Sequence, residues 1–143
     1  MNIANLEQDN VTGYYDEEKR ILFVTYRGTL TPAATAAVYT WIGCLLNVYG
    51  VAHARGSIYD FREVTNFMVG NLTAAQNQSY QLNEQFDLRA HPVALLVNNI
   101  YQRAMVKAAL NVTPQQDRKR LVHSMEGALA FIEQWHEQLS LEG

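Results

Sequence analysis

The chain has 143 residues, a formal charge of −3, 48% hydrophobic residues and 17% charged ones. That length fits one domain with a sizeable buried core, and the acidic balance argues against a nucleic-acid binder, which normally carries a basic face. One cysteine, Cys44, excludes an intramolecular disulfide framework and fits a reducing, cytoplasmic setting.

Residues 1–10 are polar and acidic, without the basic start and apolar stretch of a secretory signal, so the four N-x-S/T triplets, at Asn10, Asn71, Asn77 and Asn111, read as chance matches. Residues 11–15 and 20–27 read as strands joined by the turn Asp16–Lys19. In the second strand Ile21 and Phe23 alternate with Leu22 and Val24, so both faces are apolar and the strand is expected inside a sheet. Thr31-Pro32 opens a helix to about Tyr49, with Thr31 as N-cap, Pro32 at the first helical position and Gly50 as the stop. Gly56–Phe61 reads as a short strand. A helix over 72–86 follows, capped by Asn71, with Leu72, Ala75, Ser79, Leu82 and Phe86 on one face. Val93–Val97 is an unbroken apolar run of the kind found in buried parallel strands. Asn98 or Asn99 then caps a helix to about Leu110. Arg120–His123 reads as a last strand, and Ser124 caps a helix carrying Met125, Ala128, Leu129, Ile132 and Trp135 on one side.

The order β-β-α-β-α-β-α-β-α implies an α/β domain over residues 1–143, with its core at about 11–138. Its sheet is expected to be five-stranded, mixed and mostly parallel, with four helices. That order resembles the STAS/SEC14-like (SpoIIAA-like) family of small bacterial proteins. The marks are the hairpin Gly13-Tyr14-Tyr15 to Arg20–Val24, the segment Tyr59–Thr65, and Arg120–Ser124 followed by Ala128–Ile132. The resemblance implies a binding or regulatory module rather than an enzyme. Family members that are anti-anti-sigma factors are phosphorylated on the serine of an Asp-Ser pair at the start of the second helix. Here that position reads Gly70-Asn71-Leu72-Thr73, so no serine switch is expected, and Thr73 is only a weak substitute.

Ligands of open α/β sheets bind outside the carboxyl ends of the strands. Those ends supply a candidate ligand rim of Asp60, Arg62, Asn98, Asn99, His123 and Ser124. A hydrolase built on Asp60, His123 and Ser124 ranks last among the functional readings, because no nucleophile elbow or glycine-rich oxyanion loop accompanies the serine. Helix capping and ion pairing are the expected roles of these residues. His53, His91, His123 and His136 show no ligand-pair spacing with each other or with Cys44, so neither a metal nor a cofactor is expected. Arg103, Lys107 and the run Arg118–Arg120 could serve an anion or a lipid headgroup, but they read first as a solvated basic face.

From Gly28 to Ala54 no Asp, Glu, Lys or Arg occurs. Strands close on either side and the polar Thr31, Thr35, Thr40 and Asn47 argue against a membrane span. A helix apolar nearly all round needs cover all round. Tyr39, Ile42, Leu46 and Tyr49 are therefore expected to form an interface, most simply in a homodimer, unless the last helix covers them. The leading expectation is protein–protein association. The alternative is a lipid or small apolar ligand of the SEC14-like type, or a lipid or membrane surface as partner.

Overall fold

Six strands pair in chain order to make one sheet. They are β1 (Leu6–Gln8), β2 (Val11–Asp16), β3 (Ile21–Leu30), β4 (Gly56–Phe67), β5 (Val93–Leu96) and β6 (Lys119–Val122). The computed structural model describes residues 3–142, so the domain expected over 1–143 reaches past them at both ends. β1, β2 and β3 are antiparallel, and β3 to β6 are parallel. The sheet has one strand more than expected. β1 is a short polar edge strand, Leu6-Glu7-Gln8, with no apolar alternation to announce it.

Helices α1 (Pro32–Tyr49), α2 (Asn71–Gln85) and α3 (Ile100–Val112) each connect adjacent parallel strands. Crossovers of one hand that step in one direction put all three helices on the same face. α4 (Met125–Glu142) covers the other face. Two cores result. Leu22, Val24, Tyr26, Val93, Leu95 and Val97 face α1–α3, while Ile21, Ile58, Ala94, Leu96 and Val122 face Ala128, Phe131 and Ile132 of α4.

The local signals work as chemistry requires. The Thr31 side chain accepts from the Ala34 N–H at 3.1 Å, and Gly50 ends α1 at φ 88°. Asn99, not Asn98, caps α3, accepting from the Gln102 N–H at 2.8 Å. Ser124 accepts from the Gly127 N–H at 2.9 Å at the start of α4. At α2 the expected cap is displaced by one residue. Gly70 takes the N-cap position at φ 93° without a side-chain bond, and Asn71, inside the helix, instead accepts from the Thr35 hydroxyl of α1.

The side of α1 that carries Ile42 and Leu46 finds its cover within the chain, while Cys44 and Val48 stay exposed. Ile42 is 3% exposed and Leu46 4%, and Tyr39 is partly buried, because α2 packs along that side of α1. Tyr49 packs against Tyr15 and His53, with ring centroids 4.9 and 5.4 Å away. α4, the cover considered from sequence, lies across the sheet from α1. Among the described residues no helix is long and apolar enough to cross a membrane.

Candidate functional site

The strand-end rim does not assemble into a catalytic group. Asp60 is held by Arg62, whose Nε and Nη2 donate to its two carboxylate oxygens at 3.0 and 2.8 Å. Ser124 is occupied as the α4 cap, His123 and Asn98 are exposed, and Asn99 caps α3. What this edge does contain is Gln102, which the sequence reading passed over. It is 2% exposed and ties α3 to β4: its Nε2 donates to the Arg62 and Val64 carbonyls, each at 3.0 Å, and its Oε1 accepts from the Asn98 N–H at 2.7 Å.

The concavity lies elsewhere, between the sheet and α1–α3, with a volume of about 260 Å³. Alternation along β4 turns Ser57, Tyr59 and Phe61 toward it, and β5 contributes Val93 and Leu95. α1 supplies Thr35, Tyr39, Ile42 and Leu46, α2 supplies Ala75, Ser79 and Leu82, and α3 supplies Met105, Val106 and Ala109. α2 carries few large apolar side chains, with Ala75 and Ser79 standing where larger groups would fill the layer. Space remains where those small side chains face Tyr26 and Phe61, whose rings stack with centroids 4.9 Å apart. The wall continues to Met68, Val69 and Leu72 at the β4–α2 connection, all three exposed, Val69 at 96%.

The other end of the cavity is cationic. Arg118 ends a short 3₁₀ turn (Gln116–Arg118) before β6 and is 4% exposed. Its Nε donates to Gln115 Oε1 at 2.9 Å and its Nη1 to the His91 carbonyl at 3.0 Å. Lys119 begins β6 opposite Val93, so its side chain shares the cavity face, and its Nζ donates to Thr113 Oγ1 at 3.0 Å. Arg120 points to the opposite face, its guanidinium 4.8 Å from the centre of the Phe131 ring. The basic run expected to be a solvated face is thus split three ways by one turn and one alternation. Arg103 and Lys107 remain exposed on α3.

Burial shapes the chemistry of this end. It pulls Lys119 down to about 7, with Arg118 adding like-charge repulsion, and it lowers Arg118 as well. It raises Tyr39 to about 12 and Tyr59 further still, so both hydroxyls stay neutral. Burial, then Arg118, pushes His91 down to about 3, and its Nε2 lies 2.8 Å from Ser57 Oγ. Two buried polar atoms at this cavity, His91 Nδ1 and Asn83 Oδ1, lack a hydrogen-bond partner. His91 also carries a stability consequence. Below pH ~6.5 the unfolded chain takes up a proton that native His91 refuses until about 3, so stability falls with acid, by at most about 1.4 kcal/mol per pH unit. Urea midpoints at pH 7 and pH 4 are expected to drop less in His91→Gln than in the parent.

Among the described residues no group of His, Cys, Asp and Glu is placed to hold a metal ion. The cavity, an opening between elements, could not be read from any one segment. The signal available was period-two alternation, which, extended one residue before Arg120, sends Lys119 inward.

No protein-family model matches the sequence. No curated protein matches it either. Similarity appears among solved structures. An uncharacterised protein with a SpoIIAA-like fold from Shewanella loihica superposes with a TM-score of 0.61 at 12% identity, over 92% of this chain and 98% of that one. An anti-sigma factor antagonist from Mycobacterium paratuberculosis gives 0.55 at 12% identity, over 90% and 98%. The fold of this chain is therefore SpoIIAA-like, an α/β domain in which a mixed sheet carries four helices.

Proposed function

We propose that this protein is a non-enzymatic binding module that takes a small, largely apolar ligand between its sheet and α1–α3. The observation that carries this reading is the cavity of about 260 Å³ with its aromatic and aliphatic walls. A cavity of roughly 150 Å³ already accommodates benzene, so this one has room for a ring with a short chain or for a medium-length chain. The rim supports the non-enzymatic part: Asp60 and Ser124 spend their hydrogen bonds on Arg62 and on the α4 backbone rather than on His123. The test is calorimetric titration with 1-octanol and octanoate. Saturable binding at one site is expected with at least one of them. Ala109→Phe, which places a ring inside the cavity, is expected to weaken it by about tenfold or more, equivalent to ~1.4 kcal/mol. No saturable binding of either probe would overturn the reading.

A second reading, that the module acts through a protein partner in the manner suggested by an anti-sigma factor antagonist of like fold, is favoured by one feature. Met68, Val69, Ile100 and Tyr101 are all exposed, and the Phe67 N–H at the end of β4 donates to the Tyr101 hydroxyl at 3.0 Å. Exposed apolar groups that gather at one end of a domain mark interaction surfaces.

A further inference from the structure

We propose that the cavity binds a small monocarboxylate with an apolar chain or ring, its carboxylate seated between Arg118 and Lys119 at the amino ends of β5 and β6. This rests on the binding-module reading and names the class of ligand.

The argument is one of uncompensated charge. Four ion pairs occur among the described residues: Lys19–Asp16, Arg55–Glu133, Arg62–Asp60 and Arg89–Asp87. Neither Arg118 nor Lys119 belongs to one. Buried cations without a counter-ion are costly, and natural proteins seldom keep them unless an anion arrives. The acceptors Arg118 does have are neutral, the Gln115 amide and the His91 carbonyl, and they engage Nε and Nη1, leaving Nη2. Lys119 likewise meets a neutral hydroxyl, that of Thr113. Tyr39 and Tyr59, which feel the Arg118 charge, stay un-ionised. The exposed neighbour Asp117 attracts Arg118 without forming an ion pair with it, so the cationic end has donors in place and no paired anion of its own.

The rest of the cavity selects the rest of the ligand. Its walls are mostly apolar, with Phe61, Ile42, Leu82, Leu95 and the ring of Tyr26 facing the body of the ligand. A carboxylate suits the head better than a phosphate. The helices start at the carboxyl ends of the parallel strands, so no helix N-terminus is available at the Arg118 end to take a doubly charged group. One planar guanidinium with one ammonium matches a singly charged, two-oxygen head.

The experiment compares octanoate with 1-octanol, which shares the chain and lacks the charge, by calorimetric titration at pH 6.5. The full chain is used as parent, Arg118→Gln and Lys119→Met, with the fold of each variant checked by circular dichroism. Octanoate is expected to bind the parent about tenfold or more tightly than octanol. In either variant that ratio is expected to shrink toward one while octanol binding persists. If Arg118→Gln does not fold, Lys119→Met decides alone. Octanol binding as well as octanoate to the parent, or an unchanged ratio in the folded variants, overturns this inference and leaves the binding module standing. Binding of neither probe overturns both.

Discussion

Gln102→Leu is expected to destabilise the protein by about 3–5 kcal/mol, the largest loss from any single polar substitution considered, and to loosen the junction of β4 and α3. The substitution nearly conserves volume but removes one acceptor and two donors from a site that is 2% exposed. Three backbone groups lose partners: the Arg62 and Val64 carbonyls and the Asn98 N–H. Each buried orphan costs about 1–3 kcal/mol, part of which water recovers near the exposed Asn98. β5 pairs with β4 only as far as Asp60, so beyond it that edge of β4 has no strand partner, and Gln102 supplies the donors for the Arg62 and Val64 carbonyls. Urea denaturation reads the loss. A cost below about 1 kcal/mol would mean that these carbonyls find other partners.

Lys119→Met is expected to act in the opposite direction, stabilising the ligand-free protein by about 1–3 kcal/mol at pH 6. The native ammonium is held down to about 7 by burial, and an unfolded lysine titrates near 10.4. Below pH 7 both states are charged and the native one bears the whole penalty. Between pH 7 and 10 the unfolded chain binds a proton that the native chain has released, so parent stability rises with pH. The advantage of Lys119→Met is therefore largest in mild acid and shrinks toward pH 10. The groups facing Lys119 are Thr113 and Arg118, with Tyr39 and Tyr59 beyond. Both tyrosines are neutral through this range, so none reverses the sign. Thermal midpoints at pH 6 and pH 9 measure it. A variant less stable than the parent at pH 6 would show that the ammonium is compensated within the chain.

The elements legible in sequence are those with a local physical cause. Thr31-Pro32 and Gly50 bracket α1 because capping and proline geometry act within a few residues, and Val93–Val97 declares a strand buried on both faces. Two features had no such cause. β1 is held by its pairing to β2 and by the Ala4 carbonyl, which accepts from Trp41 Nε1 at 2.9 Å, and both are tertiary. β4 continues from Phe61 to Phe67 through Arg62, Glu63, Thr65 and Asn66, a polar stretch that reads as loop and is a strand because β3 pairs with it.

The site was hidden for a related reason. The carboxyl-end rim followed from a general rule for open sheets, and most of its residues proved to be caps and ion-pair partners. The cationic groups lie at the amino ends instead. A run such as Arg118-Lys119-Arg120 looks solvated because lysine and arginine usually are, and only strand phase and a preceding 3₁₀ turn determine which of the three enters the core. The apolar surround of α1 was visible, but whether a second subunit or α2 covered its Ile42 and Leu46 side depended on packing, and α2 did.

The most direct test of the cavity as a binding site is methyl NMR of the full chain, labelled at Leu, Val and Ile and titrated with octanoate and with 1-octanol. The account predicts saturable shifts in Leu30, Ile42, Leu82, Leu95 and Val106, which line the cavity, with Ile58, Leu96 and Ile132 on the α4 side unmoved. Shifts confined to the α4 set, or none with either probe, would contradict it.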